Sequence, residues 1–111
     1  MDDFQSALGV AASGMRAQSR RIRVISENIA NAKSTARTPD GDPYRRKVVL
    51  FRNELDKTLG AEVVQVSRIK PDLGDFTVTY EPNHPAANAD GYVKYPNVNS
   101  LVEFMDMRQA Q

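Results

Sequence analysis

The sequence has no cysteine and no tryptophan, and its 111 residues include only four phenylalanines and four tyrosines. Without cysteine the chain can form no disulfide, no thiolate zinc site and no thiol nucleophile. It contains no run of about 18 apolar residues, so no membrane span is predicted. The first residues lack the basic and apolar stretches of a cleavable secretory signal. A chain of this length fits one small domain and is too short for a multidomain enzyme.

Motifs for catalysis and cofactor binding are missing as well. The single histidine, His84, lies in a proline-containing stretch with no nucleophile motif beside it. Residues 40–42 (DGD) start like a calcium loop but lack its later ligands. A net charge of +1 and few aromatic residues argue against a nucleic-acid partner. We therefore expect no catalytic residue, no metal, no cofactor, no small-molecule substrate and no nucleic acid.

The charge is unevenly distributed along the chain. Residues 1–57 carry eleven Lys and Arg against seven Asp and Glu, whereas residues 58–111 carry four against seven. Halves of opposite net charge could steer head-to-tail association of subunits, although ordinary surface charge produces the same pattern. Basic clusters at 20–23 and 45–47 are expected either to form a solvated face or to contact acidic surfaces of adjacent subunits.

The N-terminal segment has the periodicity of one long helix. Apolar residues recur at alternating steps of four and three over residues 4–32, with Gln18 as the one polar member. Asp2 is placed to cap this helix, with Gln5 three residues later. The helix is too long for a compact globule of this size, so it must project or pack on other chains. Several small residues within it indicate either close packing in a bundle or fraying.

The rest of the chain predicts short strands followed by a second helix. Residues 47–51, 62–69 and 76–80 have strand patterns, and the last two are expected to pair as a hairpin through the turn at 71–75. Residues 53–60 fit a loop or a short helical turn, and 92–94 fit a short extended piece. Asn97 and Ser100 compete as cap of the final helix, in which Val98, Leu101, Val102 and Met105 give an apolar stripe.

These elements predict an α+β chain. Residues 1–32 form the N-terminal helix, residues 33–96 a loop and β-rich outer region, and residues 97–111 the start of a C-terminal helix. The last segment has neither a cap nor a glycine after it, which predicts a truncated helix that continues in a longer protein. We expect the two helices to pair as a coiled coil.

Two signatures resemble those of the bacterial flagellar axial proteins, which build the rod, hook and hook-associated parts. Residues 26–31 (SENIAN) are similar to the Asn-x-Ala-Asn signature of that family, and residues 92–99 (YVKYPNVN) to its second signature. The segments 32–47 and 80–91 are similar, within that family, to those of a proximal rod subunit of the basal body. The resemblance covers essentially the whole chain.

The resemblance implies a structural subunit and not an enzyme. Such proteins leave the cell by the flagellar type III route without a cleaved signal and form the periplasm-crossing shaft that transmits motor torque. The partners would be other rod subunits, copies of the same chain and neighbouring parts of the basal body. The expected subunit-interface residues lie on both helices: Phe4, Leu8, Ala11, Met15, Ile22, Ile25, Asn28, Ile29, Asn31, Val98, Leu101 and Met105.

Two alternatives stay open. Asn28 and Asn31 lie three residues apart and so share a helix face, where they would hydrogen-bond backbone groups at the helix end or simply terminate the helix. A coiled-coil adaptor or interaction module unrelated to the flagellum would share the heptad helix. It would not account for the two asparagine-bearing signatures.

Overall fold

The structure, a computed structural model, describes residues 2–111 and is dominated by one long helix. Helix α1 spans Asp3–Ala30, and the side chain of Asp2 caps it by accepting the Gln5 N–H at 2.7 Å. Its 28 residues give a length of about 42 Å. The predicted helix and its Asp2 cap are confirmed, with the C-terminal end two residues earlier than expected.

Two strands form a long antiparallel hairpin. Strand β1 spans Lys47–Asp56 and strand β2 spans Ala61–Pro71, in a register that pairs Lys47 with Pro71 and Asp56 with Ala61. Residues 57–60 form the turn, in which Asp56 Oδ1 accepts the N–H groups of Thr58 and Leu59. Gly60 closes it at φ +67, a conformation that costs other residues energy. Residues 53–56, expected as loop or helical turn, therefore continue the strand.

A second, smaller sheet contains the two remaining strands. Strand β3 spans Thr77–Tyr80 and pairs antiparallel with strand β4, which spans Tyr92–Tyr95. The predicted hairpin between 62–69 and 76–80 is wrong, because β2 already pairs with β1 and β3 pairs with β4. Instead, the segment between β2 and β3 lies beside Arg45, which donates to the carbonyls of Asp72 and Gly74.

The β1–β2 hairpin lies along α1 over most of the helix. At the hairpin turn, Ser6 Oγ donates to the Leu59 carbonyl at 2.7 Å. A Cβ on Gly9 would lie only 2.6 Å from the Leu59 side chain, so the glycine permits this close approach. At the other end, Asn28 contacts Lys47. The molecule is correspondingly elongated, at 65 × 22 × 17 Å.

Helix α2 spans Ser100–Ala110 and packs against the C-terminal part of α1. Asn99 is its N-cap, in place of either predicted residue, and accepts the N–H groups of Leu101 and Val102. Contacts of Glu103 with Asn28 and of Gln109 with Arg21 show that the two helices are antiparallel.

The face that α2 buries differs from the predicted apolar stripe. Its buried residues are Glu103 and Ala110, whereas Leu101, Val102 and Met105 are exposed. The polar contacts of Glu103 decide this orientation, as described below. The α+β class is confirmed, and neither helix in residues 2–111 is long and apolar enough to cross a membrane.

Candidate assembly interface

Five polar residues join the end of α1 to the loop, the hairpin and α2. We call this set the polar junction: Asn28, Tyr44, Arg46, Asp72 and Glu103. Asn28 is 1% exposed and lies at its centre. Its Oδ1 accepts the Lys47 N–H at 2.9 Å and the Tyr44 hydroxyl at 2.6 Å, while its Nδ2 donates to the Lys47 carbonyl at 2.9 Å. Asn28 thus holds the start of β1 as a neighbouring strand would.

An ion pair between Arg46 and Glu103 fixes α2 at the junction. Glu103 is fully buried, and its Oε1 accepts from Arg46 Nε. The same guanidinium contacts Asp72 at 3.2 Å and Asp106 at 3.6 Å. Burial lowers the pKa of Arg46, but the contacts with Glu103 and then Asp72 outweigh it and raise the pKa above its ordinary value. The buried carboxylate therefore has the charged, hydrogen-bonded partner that it requires.

Two further pKa values reflect the same geometry. Burial, with the charges of Glu27 and Glu103, raises the pKa of Tyr44 to about 12. The Gly74 N–H, followed by Arg46 and Arg45, holds the pKa of Asp72 below its usual value, although partial burial opposes this. The phenol is therefore kept neutral as a donor, and the carboxylate is kept charged as an acceptor.

The basic cluster at 45–47 has its partners inside the chain. Arg45 Nη1 donates to the carbonyls of Asp72 and Gly74, both at 2.8 Å, and its guanidinium lies 4.1 Å from the centre of the Phe76 ring. Lys47 Nζ lies 2.5 Å from Glu27 Oε1. With Arg46 bound to Glu103, all three residues of the cluster have partners within the chain, although each is only half-buried.

Asn31 performs a local role at the end of α1. Its Nδ2 donates to the Glu27 carbonyl at 2.9 Å, and its Oδ1 accepts the Ser34 hydroxyl at 3.0 Å. Helix termination therefore describes Asn31, whereas Asn28 makes tertiary contacts with the backbone of β1. Asn97, from the second signature, accepts the Arg46 N–H at 2.8 Å and donates to the Asp72 carbonyl at 3.0 Å. Both signatures thus meet in one place.

The predicted interface residues of α1 fall into two groups. In the N-terminal half, Phe4 and Met15 are each 71% exposed and Leu8 is 55% exposed, with Ala11 also exposed. In the C-terminal half, Ile25 is buried within the chain, and Ile22 and Ile29 are half-buried. The apolar stripe of α1 is therefore covered at one end and open at the other.

The predicted interface residues of α2 are mostly open to solvent. Leu101 and Met105 are exposed, together with Val102 and Phe104, and Val98 is half-buried. An apolar surface of this extent on a short helix is typical of a surface that binds a partner.

Comparisons with known proteins indicate one family. A family model described as "Flagella basal body rod protein" matches residues 8–37, which include Leu8, Ala11, Met15 and the SENIAN segment. The flagellar basal-body rod protein FlgC of Agrobacterium fabrum is 53% identical over 99% of this chain and 79% of its own length. The FlgC proteins of Borreliella burgdorferi and Salmonella typhimurium are 40% and 38% identical, over 95% and 91% of the chain and 80% and 75% of their own lengths.

The chain belongs to the FlgC family of flagellar basal-body rod proteins. It is a structural subunit of the basal-body rod, and it assembles there with other rod components. The alternative of an adaptor unrelated to the flagellum is not favoured.

Sequence reasoning found the asparagines of this FlgC-family chain but missed most of the polar junction. From the sequence, Arg46 is assigned to a basic cluster, and no tertiary contact is predicted for Glu103. One signal was available: an acidic residue at position 103 stands between the apolar pairs 101–102 and 104–105. A carboxylate inside an apolar stretch indicates a buried partner of opposite charge.

Proposed function

We propose that the open stripe of α1 is the surface through which this subunit binds its neighbours in the rod. We define the open stripe as Phe4, Leu8, Ala11 and Met15. The supporting observation is that its three large side chains are exposed. They continue the apolar stripe of α1, which is buried within the chain further along, at Ile25. Covering such side chains is worth about 1.5–3 kcal/mol each, which is sufficient to hold subunits together when the contact repeats.

The neighbours are other rod subunits and copies of this chain. The exposed apolar residues of α2 belong to the same interface. Leu101 and Met105 lie at the centre of the part that α2 contributes. In the rod, α1 and α2 form the coiled-coil axial core, and the two small sheets lie outside it. The contacts are heterologous, so they repeat helically and build a shaft instead of closing a ring.

A shaft of this kind crosses the periplasm and transmits motor torque as part of the proximal rod. The subunit reaches it by flagellar type III export without a cleaved signal. The modest core supports this route, because three of the seven buried apolar residues within residues 2–111 are alanines (Ala17, Ala86 and Ala110). A chain with little buried apolar area is readily unfolded for passage through a narrow channel.

Replacement of Met15 tests the interface without disturbing the chain's own core. A strain whose gene carries Met15→Asp should make rings without a rod, because a buried carboxylate without a partner opposes subunit contact. Electron microscopy of extracted basal bodies and swimming in soft agar provide the measurement. The purified variant should keep the helical circular-dichroism signal of the parent, since Met15 is exposed in the single subunit.

The matched control is Ser26→Asp, an exposed polar position on the same helix outside the open stripe. It introduces the same charge and should leave rods and swimming intact. A Met15→Asp strain that swims like its parent would contradict the proposed interface, and a gene deletion that leaves complete rods would contradict the role as a rod subunit.

A further inference from the structure

Three arginines form an exposed row on α1 that the proposed interface does not use. We define the arginine row as Arg16, Arg20 and Arg23, which are all exposed. Their spacing of four and three residues places them on one helix face. They border a shallow open groove that also includes Met15 and Ser19. The neighbouring Arg21 points elsewhere and donates to Gln109 of α2 at 3.2 Å.

No acidic side chain within residues 2–111 lies within ion-pair distance of the arginine row. Across residues 2–111, the ion pairs use Arg46, Lys47, Arg52 and Lys94, and no hydrogen bond involves a side chain of the row. Like charges four residues apart on a helix repel each other. A row of this kind is therefore better accommodated when an acidic surface lies against it.

Such a surface exists at one end of the same molecule. The contact of Ser6 with Leu59 brings the start of α1 beside the hairpin turn. We define the acidic end as Asp2, Asp3, Glu54, Asp56 and Glu62, five carboxylates that share this end with the two cations Arg52 and Lys57. Glu54 is paired with Arg52, Asp56 holds the turn and Asp2 caps α1, so Asp3 and Glu62 have no such contact within residues 2–111.

We propose that the arginine row binds the acidic end of a second copy of this chain. The two surfaces lie at different heights on one molecule: Asp3 and Arg20 are 17 residues apart on α1, or about 25 Å along the helix axis. Arg16 and Arg20 border a groove that also includes Asp56, but no ion pair joins the two surfaces within residues 2–111. Contact between Arg20 of one copy and Asp3 of a parallel copy therefore requires an axial stagger of about 25 Å. This inference rests on the proposed function, because it assigns one lateral contact within the rod.

The absence of cysteine makes the contact directly testable by cross-linking. Two tagged versions of the full gene, one with Arg20→Cys and one with Glu62→Cys, are expressed together in a strain that lacks the natural gene. A short bismaleimide is then added to isolated basal bodies. We expect a cross-linked dimer that carries both tags. The control pairs Glu62→Cys with Arg37→Cys in place of Arg20→Cys. Arg37 is an exposed arginine outside the row, so this pair should give several-fold less dimer.

Equal yields from the two pairs, or no dimer from rods that contain both versions, would overturn the proposed contact. Absence of the chain from isolated rods would instead contradict the proposed function, so the two failures are distinguishable. If a cysteine variant does not assemble, charge reversal in the arginine row provides a second test. Arg16→Glu with Arg20→Glu should reduce the number of rods at least about tenfold, because like charges then face each other.

Reversing the charges of the acidic end should restore the rods that are lost when the charges of the arginine row are reversed. Adding Asp3→Arg and Glu62→Arg to the double variant returns opposite charges to the two surfaces and should recover rods and swimming. The thermal midpoint of the purified double variant should remain near that of the parent, since the row has no partner in the chain. A folded double variant that is not rescued would exclude a second copy as the occupant, and an unaffected strain would exclude the row as an interface.

Discussion

At the scale of single residues, the junction of the chain is stabilised by polar groups instead of apolar packing. The side chain of Glu103 is fully buried and contacts Arg46 and Asn28. Removing one member of a buried ion pair costs more than the pair contributes, because a charge is left without compensation. The junction therefore specifies one position for α2, in a way that an apolar contact of the same size would not.

Tyr44→Phe should reduce the free energy of unfolding by about 1 kcal/mol at pH 7, because Asn28 loses one of its donors. The folded pKa of about 12 lies above the ordinary value of 10.0, so the contribution of this phenol is complete below pH 10 and is lost as the pH rises toward 12. The parent should therefore lose more stability over that interval than the variant. Urea titrations at several pH values provide the measurement.

The matched control is Tyr80→Phe, which removes an exposed hydroxyl without a hydrogen-bond partner in the described chain. It should leave both the stability at pH 7 and the alkaline loss unchanged. Identical pH profiles for the parent and Tyr44→Phe would show that burial and the charges of Glu27 and Glu103 do not raise the pKa of Tyr44.

At the scale of elements, the sequence predicts the helices and strands that local periodicity determines. It fails for contacts between residues that are far apart in the sequence. The heptad pattern predicts α1 to within two residues, and Asp2 is correctly identified as its cap. The strand segments are also found, but the predicted partner of β2 is wrong, because residues 57–60 form the turn that pairs β2 with β1. The exposed stripe of α2 could not be foreseen, since its orientation depends on Arg46, 57 residues away from Glu103.

The same reasoning applies to the candidate site. The stripe of α1 and the two asparagines were predicted from period and resemblance, and the structure adds which part of the stripe is open. The polar junction was missed because its members are scattered over residues 28–103. Sequence spacing carries no information about such long-range contacts.

Two glycines, Gly60 in the β1–β2 turn and Gly14 in α1, offer tests of element stability with opposite expected signs. Gly60→Ala should destabilise the chain by about 1 kcal/mol, because φ +67 places a Cβ near the following carbonyl. Gly14→Ala should stabilise it by about 1 kcal/mol, because the position is helical and the added methyl meets no atom within 4 Å. Thermal unfolding followed by circular dichroism measures both. A stabilising Gly60→Ala would contradict the turn described here.

At the scale of the whole molecule, elongation and open apolar surface belong together. The Cα radius of gyration is 19.2 Å, compared with about 13 Å for a compact domain of this length. An elongated chain exposes more surface for each residue that it buries, so a subunit of this shape gains much of its stability from neighbours. The open stripe and the outward face of α2 provide the surface for that gain.

Small-angle X-ray scattering over a dilution series should separate the shape of one subunit from its association. At the lowest concentration the radius of gyration should approach about 20 Å, as expected when the hairpin lies along α1. It should rise with concentration in the parent as the open stripe becomes covered. In a variant with Leu8→Asp and Met15→Asp it should stay constant, because both side chains are exposed in the single subunit. A rise that is equal in both proteins would place self-association outside the open stripe, and a limiting value near that of a compact domain would contradict the extended fold.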